Sequence, residues 1–283
     1  TAKYSTFRSS EDAISGLEKF EEPVVIKADG LAGGKGVVIA KTKAEAEEEI
    51  KMMFRKGQEQ IVLEAFLSGD EYSMFVVIGE EDYRILPMAQ DHKRAYDRDE
   101  GPNTGGMGAY SPLPQLSESD YERMVEEGVE PTINGLRKAE FNYIGLIYIG
   151  MILTGQGPKV IEYNVRLGDP ETQVVLPRID SDFAELVDAA INGKPLPEVK
   201  QTENAVIGVV LAAEGYPKSP VKGHKLPELE ESGDISIDYA NVAGEFPNVT
   251  ANGGRLLTAI ATAETIEDAQ QKIYRYLEEH EFD

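Results

Sequence analysis

The sequence predicts an α/β protein that ends in a small α+β domain, and three observations support this. Short β-branched runs, PVVIKA, GVVIA and IVLEAFL, surround the helical segment AEAEEEIKMMFRK near the start of the chain, which is the alternation of an α/β unit. Two apolar runs, GLIYIGMIL and PKVIEYNV, are separated only by TGQG, a strand–turn–strand signal. AVIGVVLAA, the NGGR turn, RLLTAIATA and a helix starting from Thr265 form the closing α+β set. The expected division is 1–63, a small subdomain with a glycine-rich loop; 64–195, a central subdomain; and 196–283, the C-terminal domain.

In chain order, Thr42 with Glu45 three residues on reads as a capping box that opens the first long helix. YSMFVVIG (72–79) and YRILPMA (83–89) read as an antiparallel hairpin across an acidic turn. Residues 90–116 carry no periodic pattern, and a loop that long inside a compact domain is usually functional. Ser117 with Asp120 starts a further helix that runs past Pro131. The segment 180–193 is helical and stops at Asn192-Gly193. KPLPEVKQ reads as a linker, and no internal repeat is present.

The chain has 283 residues, 41% of them hydrophobic and 28% charged, which suits a globular protein of about two domains. No apolar run approaches the ~20 residues of a membrane span, and none reads as a secretory signal. The absence of cysteine excludes a disulfide framework, thiolate metal ligands and a cysteine nucleophile, and it fits a cytoplasmic protein. His92, His224 and His280 are too scattered for a histidine metal site. A net charge of −23 argues against nonspecific nucleic-acid binding. Within that acidic chain, Lys27, Lys35, Lys41 and Lys43 face only Asp29 between positions 27 and 43, and Arg84, Lys93, Arg94 and Arg98 form a second cationic island. Such islands beside glycine-rich segments suit an anionic ligand.

The first of those segments is GLAGGKG, residues 30–36. It is not a Walker A loop, because Asp29 stands where the first glycine belongs and Gly36 follows the lysine. It joins two strands rather than a strand and a helix, so it does not fit the dinucleotide fingerprint either. By itself it reads either as a flap over phosphates or as a plain flexible hairpin. In KVIEYNVRLGDPE, alternation places Glu162, Asn164 and Arg166 on one strand face, with Ile161, Tyr163 and Val165 on the other. Two side-chain oxygens and a guanidinium on one face suit a magnesium–phosphate site. Asp169 and Glu171 add carboxylates at the following turn. Lys93 and Arg94 read either as holders of a second anion, with Gly105, Gly106 and Gly108 offering backbone N–H groups beside them, or as an exposed charged turn. LEAFLSGDE fits an adenine and ribose site or, equally, a core strand and acidic turn.

Taken in order, VVIKADGLAGGKGVVIA, AQDHKRAYDRDEGPNTGGMGAYSP, KVIEYNVRLGDPETQVVLPR and TANGGR resemble the glycinamide ribonucleotide synthetase family of ATP-grasp enzymes over nearly the whole chain. The resemblance implies an ATP-grasp fold with the C-terminal α+β domain. It also implies a Rossmann-like domain ahead of Thr1 and a short tail beyond residue 283, neither of which lies in this chain. The connections 52–64 and near GLRKAEFNY are shorter than the family pattern. The implied activity is ATP-dependent ligation of glycine to 5-phosphoribosylamine through a glycyl phosphate, in purine biosynthesis. Mg²⁺ or Mn²⁺ would be held by Glu162 and Asn164. The resemblance assigns ATP to Lys27, Gly30, Gly33, Gly34, Lys35 and Gly36, to Glu64, Ala65, Phe66 and Leu67 around adenine, and to Glu71 at the ribose. In the same reading Asp91, His92, Lys93 and Arg94, with Thr104, Gly105, Gly106, Met107 and Gly108, meet the substrates. Arg166 and Asp169, with Lys35, lie at the reacting groups. The expected state is a monomer or weak dimer. The alternatives are another ATP-grasp carboxylate–amine ligase and an ATP-binding module without turnover.

Overall fold

The computed structural model describes residues 1–30, 36–280 and 282. It divides into two compact units: Thr1–Asp70 with Ile152–Ile161, and Glu71–Met151 with Glu162–Asp283.

The first unit contains a four-stranded antiparallel sheet in the order Tyr4–Phe7, Ile61–Ala65, Val24–Ala28, Val37–Ala40. The two strands that flank the glycine-rich segment are therefore paired, Lys27 opposite Val37. Residues 31–35, and with them the assignments to Gly33, Gly34 and Lys35, lie outside the described residues. The helix Lys43–Arg55 buries Ala46, Ile50 and Met53, the i, i+4, i+7 stripe of an amphipathic helix. Its Thr42 cap accepts the Glu45 N–H at 3.2 Å, while the Glu45 carboxylate takes the Lys41 N–H at 2.8 Å, one residue ahead of the usual capping box. Ile26, Ile50, Ile61 and Leu63 are fully buried in this core, each contributing about 1.5–3 kcal/mol of transfer energy.

In the second unit, a five-stranded antiparallel sheet runs in the order Ile235–Tyr239, Arg255–Ala263, Ala205–Ala212, Gly108–Ser111, Gln90–Asp91. The C-terminal strands thus share a sheet with the glycine-rich segment of the chain's middle. The helix Ile266–Glu278, capped by Thr265, buries Ala269 and Ile273. Within the same unit Val76, Val77 and Ile78 pair antiparallel with Ile85, Arg84 and Tyr83.

Three expectations need correction. The 90–116 stretch is not one long loop: it holds the strands Gln90–Asp91, Arg94–Tyr96, Glu100–Asn103 and Gly108–Ser111. At two to four residues, these are too short to show an alternation. The strand after TGQG ends at Asn164, so Arg166 does not share a strand face with Glu162 and Asn164. Beyond Ile161 the opposite face is not apolar core either, since Tyr163 is 53% and Val165 73% exposed. The helix around Pro131 is continuous for a local reason. A π-helical turn, Val125–Val129, precedes Glu130–Lys138. It widens the helix where proline lacks an N–H and would clash with the preceding turn.

Candidate active site

Glu162 and Asn164 stand two residues apart on one strand, and Glu162 is half exposed. A Cβ at Gly150 would meet Glu162 Cγ at 2.8 Å, so the bare glycine lets the acid lie across the neighbouring strand. Lys93 Nζ stands 3.2 Å from Glu71 Oε2 and 3.8 Å from Glu162 Oε1. Burial by itself works against the Lys93 ammonium, but the electrostatic pull of Asp91, Tyr148, Glu71 and Glu162 outweighs it and holds Lys93 protonated above the ordinary lysine range. Burial, with help from Glu71 and Glu162, pushes the Asp91 carboxyl up, while Lys93 opposes the shift. Lys93 therefore already faces three acids. Arg94, expected beside it as an anion clamp, donates instead to the Gly101 carbonyl at 2.9 Å, within its own hairpin.

The glycine-rich segment 104–108 is zipped to 92–93. Thr104 N donates to Lys93 O at 2.8 Å, Met107 N to His92 O at 2.7 Å and His92 N to Gly108 O at 2.9 Å. The His92 ring stacks on Tyr110 at 5.9 Å. The expectation of free N–H groups is not met at Gly105 and Gly106. Gly105 N donates to Tyr216 Oη at 3.0 Å and Gly106 N to Thr104 Oγ1 at 3.0 Å. Their role is close approach: a Cβ at Gly106 would meet Pro170 Cδ at 2.5 Å, and one at Gly108 would meet Gly208 O at 2.7 Å. Arg255 binds the far side of the segment. Its Nη1 donates to Gly105 O at 2.8 Å and Asp169 O at 2.6 Å, and its Nη2 lies 3.3 Å from Asp169 Oδ2. Arg166 is exposed and donates to the adjacent Leu167 carbonyl at 2.8 Å.

Behind this surface lies a buried polar group. Ser73 Oγ is 3.2 Å from Tyr148 Oη and 3.3 Å from Glu171 Oε1. Glu171 is 4% exposed. Burial first, and the Asp91 charge second, push its carboxyl up to about 7. Burial likewise raises the Tyr148 phenol. Sequence reading assigned no role to Ser73, Tyr148, Tyr216 or Arg255. The available signals were slight: Ser73 is a polar residue in the apolar run YSMFVVIG, and Arg255 closes TANGGR, a segment read as a turn and as part of the family resemblance without a role for the arginine.

In the first unit, Lys27 Nζ forms a 2.8 Å ion pair with Glu64 and donates to the Ile161 carbonyl at 3.2 Å. Leu63 and Glu64 lie in a central strand, paired on both sides, and Ala65 N donates to Lys3 O. Of the four residues assigned to adenine, Glu64 and Ala65 thus have their backbone engaged in the sheet, and only Phe66 and Leu67 lie beyond the strand. Gly30 adopts a left-handed φ of 100°, and the Gly36 carbonyl accepts from Ala28 N at 2.8 Å.

The mixed α/β architecture that carries these residues is that of an ATP-grasp protein. Residues 1–172 match the family model described as phosphoribosylglycinamide synthetase, ATP-grasp (A) domain. Residues 206–283 match its C domain. The fold alone is shared, at 17% identity and a TM-score of 0.77, with the biotin carboxylase domain of Hydrogenobacter thermophilus 2-oxoglutarate carboxylase, described in complex with MgADP, ADP and bicarbonate. The phosphoribosylamine–glycine ligase of Streptococcus pneumoniae is 44% identical over 291 residues, covering 100% of this chain and 69% of that protein. The crystal structure of the Thermotoga maritima phosphoribosylamine–glycine ligase superposes with a TM-score of 0.90 at 38% identity, over 100% of this chain and 72% of that one. The chain belongs to the phosphoribosylglycinamide synthetase family.

Proposed function

We propose that the chain catalyses the reaction its relatives are named for: joining glycine to 5-phosphoribosylamine at the expense of ATP, giving glycinamide ribonucleotide, ADP and phosphate. The observation that carries this is the acid–lysine cluster of Glu71, Asp91, Lys93 and Glu162, next to Asn164, in a chain whose residues 1–172 and 206–283 match that family's models.

A carboxylate does not accept an amine unless an oxygen is first made a leaving group. Transfer of the γ-phosphoryl to glycine gives an acyl phosphate. The amine then attacks its carbonyl carbon, phosphate leaves, and the nitrogen gives up a proton. No enzyme nucleophile takes part, so alignment and charge neutralisation do the catalysis. The residues present fit a magnesium ion that shares its coordination with nucleotide and water: Glu162 and Asn164 give two hard oxygens, and among the described residues no group of three His, Cys, Asp or Glu forms a cage. When bound, that ion neutralises phosphate charge; manganese is a proposed substitute. Lys27, anchored by Glu64, together with Gly30, Gly36 and the segment between them, is assigned to the nucleotide phosphates. Phe66 and Leu67 are assigned to the adenine and Glu71 to the ribose.

Asp91, Lys93, the 104–108 segment and Asp169 are assigned to glycine and the ribosyl amine, with Arg166 at the acyl phosphate. In this reading 1–63 is the lid, 64–195 carries the metal and substrate residues, and 196–283 is the C-terminal domain. The enzyme is read as a cytoplasmic monomer or weak dimer. Among the described residues no helix is long and apolar enough to cross a membrane.

The test is ADP release with Mg²⁺, ATP and glycine, with and without phosphoribosylamine generated in situ from ribose 5-phosphate and ammonia, alongside an ATP titration. Release that requires both substrates is expected. Release indifferent to phosphoribosylamine would favour another carboxylate–amine ligase. ATP binding with no release would favour a binding module.

A further inference from the structure

We propose that Arg255 is a positioning residue for the substrate segment, an inference that rests on the functional reading above. Its guanidinium sits where two stretches far apart in sequence must be held together. On one side are the Gly105 carbonyl at 2.8 Å and the Gly106 carbonyl at 3.5 Å. On the other are the Asp169 carbonyl at 2.6 Å and the Asp169 carboxylate, 3.3 Å from Nη2 and 3.5 Å from Nη1. A planar fork can serve carbonyls and a carboxylate in fixed directions at once, which an ammonium cannot.

The packing allows little else. A Cβ at Gly105 would lie 3.0 Å from Arg255 Cζ. A Cβ at Gly254, just before Arg255, would lie 2.4 Å from the ring of Tyr216, whose hydroxyl accepts the Gly105 N–H. The Arg255 side chain is only 21% exposed, whereas that of Asp169 is 52% exposed. The arginine is thus sunk between the two stretches while the acid it orients still faces solvent. With the N–H groups of Thr104, Gly105, Gly106 and Met107 all engaged internally, the segment's position is set by contacts such as this one rather than by a ligand. The C-terminal domain thereby shapes a surface whose substrate-facing residues all come from the middle of the chain.

The test uses the full chain and its Arg255→Ala and Arg255→Lys variants. In hydrogen exchange, the amides of 104–107 should lose protection in Arg255→Ala, while the strand Ile61–Ala65 keeps its own. In the ligase assay, the KM for phosphoribosylamine should rise about tenfold or more, the loss of one charge-assisted contact, with the KM for ATP unchanged. Arg255→Lys should not restore it, whereas guanidinium ion added to Arg255→Ala should do so in part. Unchanged exchange at 104–107 overturns the inference whatever the turnover. So does an equal rise in both KM values, which would mean a purely structural role. If the unsubstituted chain neither turns over nor binds ribose 5-phosphate by calorimetry, the functional reading fails instead, and the exchange result still decides the positioning.

Discussion

Glu171→Gln offers the most direct test of the buried polar group. The Glu171 carboxyl is pushed from 4.5 to about 7, first by burial and then by the Asp91 charge. At about 1.4 kcal/mol for each pH unit, this corresponds to about 3 kcal/mol. The folded chain keeps its proton between pH 4.5 and 7 while the unfolded chain has released it. The contribution is therefore fully present below 4.5 and is lost as pH rises through 7. Glutamine keeps a carbonyl for the Ser73 hydroxyl, 3.3 Å from Glu171 Oε1, and never ionises. Urea unfolding of the two proteins should thus give a stability difference that moves in favour of Glu171→Gln by about 3 kcal/mol between about pH 4.5 and pH 8. A difference that does not depend on pH would refute the raised carboxyl. A shift in the opposite direction would mean that Lys93 holds Glu171 ionised.

Glu162→Gln should abolish magnesium-dependent ADP release while leaving circular dichroism and the unfolding midpoint unchanged; retained turnover would remove Glu162 from the metal site. Lys93→Ala should raise the KM for phosphoribosylamine more than that for ATP, and equal effects would reject a substrate contact. Gly106→Ala adds a Cβ 2.5 Å from Pro170 Cδ at a φ of 112° and should cost about 2 kcal/mol or more in denaturant unfolding, against no change if the segment can shift. Thr42→Ala removes the cap on the Glu45 N–H and should cost about 1 kcal/mol by the same measurement.

Features that depend on near neighbours in the chain were legible in the sequence. The strands Val24–Ala28 and Val37–Ala40, the capped helices at Thr42, Ser117 and Thr265, and the stop at Gly193, whose φ is 63°, stand where residue patterns put them. Local rules sufficed because caps and turns act over three or four residues. Arg166 was misplaced because alternation holds only while the strand lasts, and nothing in the local pattern marked Asn164 as its end. The strands at 90–91, 94–96, 100–103 and 108–111 were missed because pairs with distant partners, such as Gly108 with Val209, stabilise segments too short to signal themselves.

By itself, then, the sequence determined the longer elements, the family and the residue types brought to the chemistry. Only the tertiary structure decided their partners. It set Lys93 among Glu71, Asp91 and Glu162, turned Arg94 into its own hairpin and engaged the N–H groups of Gly105 and Gly106. It also brought Arg255 to Asp169, 86 residues away. Charge and burial depend on distance in space, and a chain folded into sheets of non-consecutive strands carries no local record of that distance.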